Sequence, residues 1–90
     1  MICGEIIYID RYGTCVTNIR SDAVTDEAHA LKVGRQSVPI RKSYQAAASG
    51  SALCVPGSHG YLEIAVHGGS AQRIFRLHLG SSVMLSDNAN

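Results

Sequence analysis

The chain has no apolar run long enough to span a bilayer, and no basic segment leads into an apolar stretch at its start. A membrane partner is therefore not expected. Charge is scarce: Asp, Glu, Lys and Arg make up 17% of the 90 residues, against about a quarter in an average globular protein. The balance is only +1, so the clustered positive charge that nucleic acid demands is missing as well. A charge-poor surface points to partial coverage by a partner chain. Cysteine pairing is also lacking. Cys3, Cys15 and Cys54 are odd in number and contain no C-x-x-C, which argues against a disulfide framework or a zinc knuckle. They read as reduced thiols of a cytoplasmic protein.

Hydrophobic residues at 46% suffice for one globular domain. A chain this short buries only about 60–65% of its unfolded surface, so association with other copies would stabilise it. Gly4 to Asp10 and Cys15 to Ile19 are rich in β-branched and aromatic residues and flank Arg11-Tyr12-Gly13-Thr14, which predicts a hairpin with Gly13 at positive φ. A polar loop follows to Glu27, with at most one helical turn at Asp26 to Ala28. Ala30 to Val33 and Gln36 to Arg41 flank Gly34-Arg35 as a second hairpin, and Pro39 places its strand at an edge or a bulge. Ser43 to Gly50 carries no clear period.

Ser51 to Val55 reads as a short strand, closed by Pro56 to Gly60. Tyr61 to His67 alternates, with Leu62, Ile64 and Val66 on one face and Tyr61, Glu63, Ala65 and His67 on the other. After Gly68-Gly69, Ser70 caps a short helix through Phe75, expected to turn Ala71, Ile74 and Phe75 inward. Ser82 to Leu85 is a last strand and 86–90 a polar tail. The pattern predicts one all-β domain, a small antiparallel β-barrel or sandwich, with one short helix near the C-terminus.

Chemistry is thinly marked. His29, His59, His67 and His78 form no i, i+4 pair and share no spacing with the cysteines, so no metal is expected. There is no G-x-S-x-G. Glu63, mid-strand and opposite the apolar stripe, is either a base or ligand contact or a plain strand carboxylate; the second is the simpler reading. Asp10 ends an apolar strand at a tight turn, where a carboxylate caps turn N–H groups or meets a cationic ligand. Gly68-Gly69 could present backbone N–H groups to a ligand, or simply make the turn.

Two stretches resemble a known family. Ile9-Asp10-Arg11-Tyr12-Gly13-Thr14-Cys15-Val16-Thr17-Asn18-Ile19 is similar to the I-D-x-F-G-N-x-x-T-N-I motif of S-adenosylmethionine hydroxide adenosyltransferases, relatives of the fluorinases and chlorinases. Gly57 to Ala71 resembles their S-x-G-x-L-E-I-A-V-N-x-G-S-A segment, and a Tyr44-to-Leu53 connection lies between the two. The likeness is to the family's C-terminal domain, a barrel-like β module, and it implies a homo-oligomer, in the family a trimer. There the substrate lies between one subunit's N-terminal domain and the next subunit's C-terminal domain.

The resemblance implies ligand-binding positions at Asp10, Ser58 and His59 for the methionine end of S-adenosylmethionine. It implies Thr14, Val66, His67 and Gly68 for the adenine end. Two positions depart from the pattern: Thr14 replaces an adenine-contacting Asn, and His67 replaces the Asn after L-E-I-A-V. The family's water- or halide-activating residues lie in its N-terminal domain, so no catalytic residue carries over and no cofactor is implied. Three readings follow: a module keeping part of an S-adenosylmethionine or adenosine site, an assembly module with a decayed site, or half of a split enzyme completed by an N-terminal-domain chain.

Overall fold

Seven runs of β-branched and aliphatic residues pair in the order β4-β3-β7-β1-β2-β6-β5. They are β1 (Ile2–Ile9), β2 (Cys15–Arg20), β3 (Ala30–Val33), β4 (Gln36–Pro39), β5 (Ala52–Pro56), β6 (Tyr61–Val66) and β7 (Ser82–Ser86), with one helix, α1 (Ala71–Phe75). The computed structural model describes residues 2–24, 30–42 and 50–86. The expected helical turn at Asp26 to Ala28, His29 and most of the Ser43 to Gly50 stretch lie outside the described residues.

Every ladder is antiparallel. The two edge strands meet through a single parallel bridge between Ile40 and Cys54, reinforced by Arg41 N–H donating to the Cys54 carbonyl at 2.8 Å. The sheet thus curls into a nearly closed barrel, as the strand spacing predicts. Pro39 explains why the seam falls here. Without an N–H, it sits at the end of edge strand β4 opposite Ala30, where no further ladder is asked of it.

Inward-facing residues from each strand fill the barrel: Ile6, Ile19, Leu31, Val38, Cys54, Ile64 and Leu85 are all at most 3% exposed. Thr17 is the one fully buried polar side chain among the described residues. The β2–β6 register slips between Val16 and Arg20, which interrupts the ladder. The Thr17 hydroxyl fills the gap, donating to the Leu62 carbonyl at 2.9 Å and accepting from Ile19 N–H at 3.1 Å.

The helix differs from expectation on one face. Ser70 caps it as the sequence predicts, its side chain accepting from Arg73 N–H at 3.2 Å. Ala71 is fully buried and Phe75 half-buried, but Ile74 is 51% exposed. A five-residue helix ending on Arg76 in the left-handed region makes barely one turn, so only the i, i+4 pair reaches the barrel. Leu77 enters the core instead. The last strand also runs one residue further than expected: Ser86, read as the start of a tail, pairs with Ala30. Positions 87–90 lie outside the described residues, and no helix among the described residues is long and apolar enough to cross a membrane.

Candidate functional site

The β1–β2 turn is organised by Asp10. Its Oδ1 accepts the backbone N–H of Tyr12 at 2.9 Å and of Thr14 at 3.0 Å, while Asp10 N–H donates to the Thr14 carbonyl and Gly13 N–H to the Asp10 carbonyl, both at 3.0 Å. The turn-capping role is therefore real, and it uses one oxygen; among the described residues Oδ2 takes no hydrogen bond.

Gly13 is where the turn meets the helix. Its φ is +84°, open to glycine at no steric cost, and a side chain there would collide with Ser70. Its carbonyl accepts from Gln72 N–H at 3.0 Å. The carboxylate turn and the start of α1 are thereby locked into one unit.

An open cleft of about 610 Å³ lies beside this turn, lined by Asp10, Tyr12 and Thr14 from the turn, Val55, Glu63, Ala65 and Val66 from β5 and β6, and Gly68 and Gly69 beyond them. Four of the sequence-derived positions, Asp10, Thr14, Val66 and Gly68, thus meet in one concavity, from segments more than 50 residues apart. The others are placed differently. Ser58 and His59 occupy an exposed turn next to Glu63, outside the lining, which is closed by Gly57 N–H donating to the Tyr61 carbonyl at 2.8 Å and Gly60 N–H to the Gly57 carbonyl at 3.2 Å. His67 is half-buried, its N–H donating to the Ser51 carbonyl at 3.1 Å, and it ties the end of β6 to the approach to β5.

Glu63 is the residue that the alternation of β6 undervalued. Half-buried in the cleft wall, its carboxyl is held above the ordinary range chiefly by burial and secondarily by the Asp10 charge, with His59 opposing. Its carboxylate accepts no hydrogen bond among the described residues, which leaves both the solvent-facing strand carboxylate and the ligand contact open. Beneath the cleft, burial pushes the Cys15 thiol up to about 11 and the Cys54 thiol up to about 12, with Asp10 and Glu63 respectively adding to the effect. All three cysteines are free, and Cys3 alone is exposed.

Tyr12, inside the first motif but outside the ligand positions it implies, also lines the cleft. The residue is 71% exposed, with the Arg11 guanidinium 5.5 Å from its ring centroid. Tyr12 and Gly69 also border a second cleft of about 540 Å³, on whose walls stand Arg11 and Arg73. The two concavities are adjacent and opposite in charge. Among the described residues no three of His, Cys, Asp or Glu gather closely enough to hold a metal ion.

The model of the SAM hydroxide adenosyltransferase C-terminal domain matches residues 4–84. An (R)-S-adenosyl-L-methionine hydrolase of Thermus thermophilus is 33% identical over 82 residues, covering 91% of this chain and 31% of the relative. A conserved hypothetical protein of Thermus thermophilus superposes with a TM-score of 0.82 at 31% identity, over 93% of this chain and 34% of that one. An uncharacterized conserved protein of Thermotoga maritima gives 0.79 at 29% identity, over 93% and 35%. The chain spans about a third of the length of these relatives. It belongs to the SAM hydroxide adenosyltransferase C-terminal domain family.

Proposed function

We propose that the barrel is a ligand-binding module that presents one half of an S-adenosylmethionine or adenosine site and performs no catalysis by itself. The observation that carries this reading is the convergence of Asp10, Thr14, Val66 and Gly68 on one cleft. The chemistry is coherent. A carboxylate anchored through one oxygen keeps the other for an α-ammonium group, and the backbone around Val66 to Gly68 offers donors and acceptors to the edge of a base. Ser58 and His59, on the neighbouring turn, serve the carboxylate end. An open cleft with one wall calls for a second wall, from another copy in a homo-oligomer or from a chain resembling the family's N-terminal domain, which would also supply the group that activates water. In such an assembly the reaction is hydrolysis of S-adenosylmethionine to adenosine and methionine.

A second reading, an assembly module, draws on the apolar surface of β1: Ile7 is 44% and Tyr8 59% exposed, as is Leu79 at 64% in the loop before β7. Both readings face the same experiment. The chain is melted alone and with millimolar S-adenosylmethionine, adenosine or methionine, with light scattering in parallel. A ligand at 100 times its Kd adds about 2.7 kcal/mol, a shift of roughly ten degrees or more for a domain this size. A shift that shrinks in Asp10→Asn supports the half-site. No response to any of the three, with a ligand-independent oligomer, favours the assembly reading.

A further inference from the structure

We propose that Glu63 is a positioning residue: its side chain is the seat of the Gly57-to-Gly60 turn, and its ionisation sets how that turn presents Ser58 and His59 to the cleft. The geometry starts from β6. Alternation sends Leu62 and Ile64 into the core and leaves Glu63 facing out, beside Val16 of β2 and Val55 of β5. Neither neighbour can bond a carboxylate, so a charged group here is a poor choice for the strand alone. What lies over it is the turn. A methyl group added to Gly57 would run into the Glu63 carboxylate and the carbon behind it, so the bare Gly57 backbone rests directly on this side chain. A larger residue at Gly57 would have to push the Glu63 side chain out of this seat.

The same turn carries Ser58 and His59 and is pinned at its ends by the Gly57-to-Tyr61 hydrogen bond and by Ser21 N–H donating to the Gly60 carbonyl at 2.8 Å. Among the described residues its middle has no such anchor in the sheet, and Glu63 is the group beneath it. The ionisable groups that act on Glu63 are Asp10 from the β1–β2 turn and His59 from the turn itself, while the Cys54 thiol of β5 feels it from the core side of the sheet; β2 presents only Val16. Burial and Asp10 favour the protonated carboxyl, and His59 favours the ionised one. Ionising Glu63 therefore adds an attraction to the His59 side of the turn and a repulsion from Asp10. Protonating it releases both.

The test has two arms, of which only the second rests on the ligand half-site reading. In the first, the free chain is titrated while backbone amide and carboxyl resonances are followed by NMR. The amides of Gly57, Ser58, His59 and Gly60 are expected to move together with the Glu63 carboxyl, at a midpoint above the roughly 4.3 of an ordinary glutamate. Glu63→Gln, which keeps the shape, abolishes that transition and leaves the turn protected; Glu63→Ala, which removes the seat, speeds amide exchange in the turn several-fold. Turn amides that ignore the carboxyl, or that titrate identically in Glu63→Gln, overturn the proposal.

In the second arm, Glu63→Ala weakens methionine binding about tenfold and leaves adenosine binding unchanged, and Glu63→Gln restores methionine binding while flattening its pH profile. An equal loss for both ligands overturns positioning in favour of direct contact. A wild-type chain that binds neither ligand removes the half-site reading, and the titration of the free chain then decides the role of Glu63.

Discussion

The Ser70 side chain occupies the space that a side chain on Gly13 would need, and so binds the Asp10 turn to the first turn of α1. Gly13→Ala forces both a strained φ and a collision, and should cost about 1–3 kcal/mol in urea denaturation. Ser70→Gly removes the collision partner together with the N-cap hydroxyl, at roughly a few tenths of a kcal/mol on its own. The double variant should be less destabilised than the sum of the two, and strict additivity would mean that the contact carries no energy.

Asp10 has two duties that a pair of variants separates. Asp10→Ala deletes the acceptor for two turn amides and should destabilise the domain by about 2 kcal/mol. Asp10→Asn retains the oxygen but not the charge. It should cost less than about 1 kcal/mol in stability, yet weaken S-adenosylmethionine binding about tenfold by calorimetry. Equal affinity in Asp10→Asn and wild type would remove Asp10 from the ammonium site.

Thr14 offers one hydroxyl where the family motif has an amide with both a donor and an acceptor. Thr14→Asn should therefore tighten adenosine binding by about tenfold and leave methionine unaffected, measured by the same titrations. An unchanged adenosine affinity would show that the base does not reach this position.

The two buried thiols set an alkaline limit to stability. Cys15 and Cys54 titrate at about 11 and about 12 in the folded chain against 9.0 when exposed, so the unfolded chain loses their protons first. Stability from this source is intact below about pH 9 and falls as pH rises toward 11–12, for Cys54 by at most about 1.4 kcal/mol per pH unit. Cys54→Ala should flatten that alkaline slope in pH-dependent melting. At pH 8 an alkylating reagent should label Cys3 and spare the other two.

Much of the barrel is legible in the sequence because its punctuation is local. Gly13 marks its hairpin through positive φ, Pro39 marks an edge through its missing donor, and Ser70 marks a helix start through its hydroxyl. What local pattern cannot give is register. The slip between Val16 and Arg20, patched by the Thr17 hydroxyl, helps set how β6 lies beside β2 and thus what covers Glu63. Alternation places Glu63 away from the core, yet it carries no sign of the turn and the second carboxylate that wait there. Ile74 failed for a related reason, since a helix pattern assumes a second turn that Arg76 ends. Tyr12 lies inside a motif whose polar members draw the eye, and its exposed ring emerges as a cleft wall only in three dimensions.

The most direct measurement is an NMR titration of the full chain with S-adenosylmethionine into the millimolar range, followed residue by residue. The half-site account requires saturable shifts concentrated at Asp10 to Thr14 and Val66 to Gly69, abolished or weakened in Asp10→Asn. Shifts absent at saturating ligand, or gathered on Ile7, Tyr8 and the far side of the barrel, would contradict it.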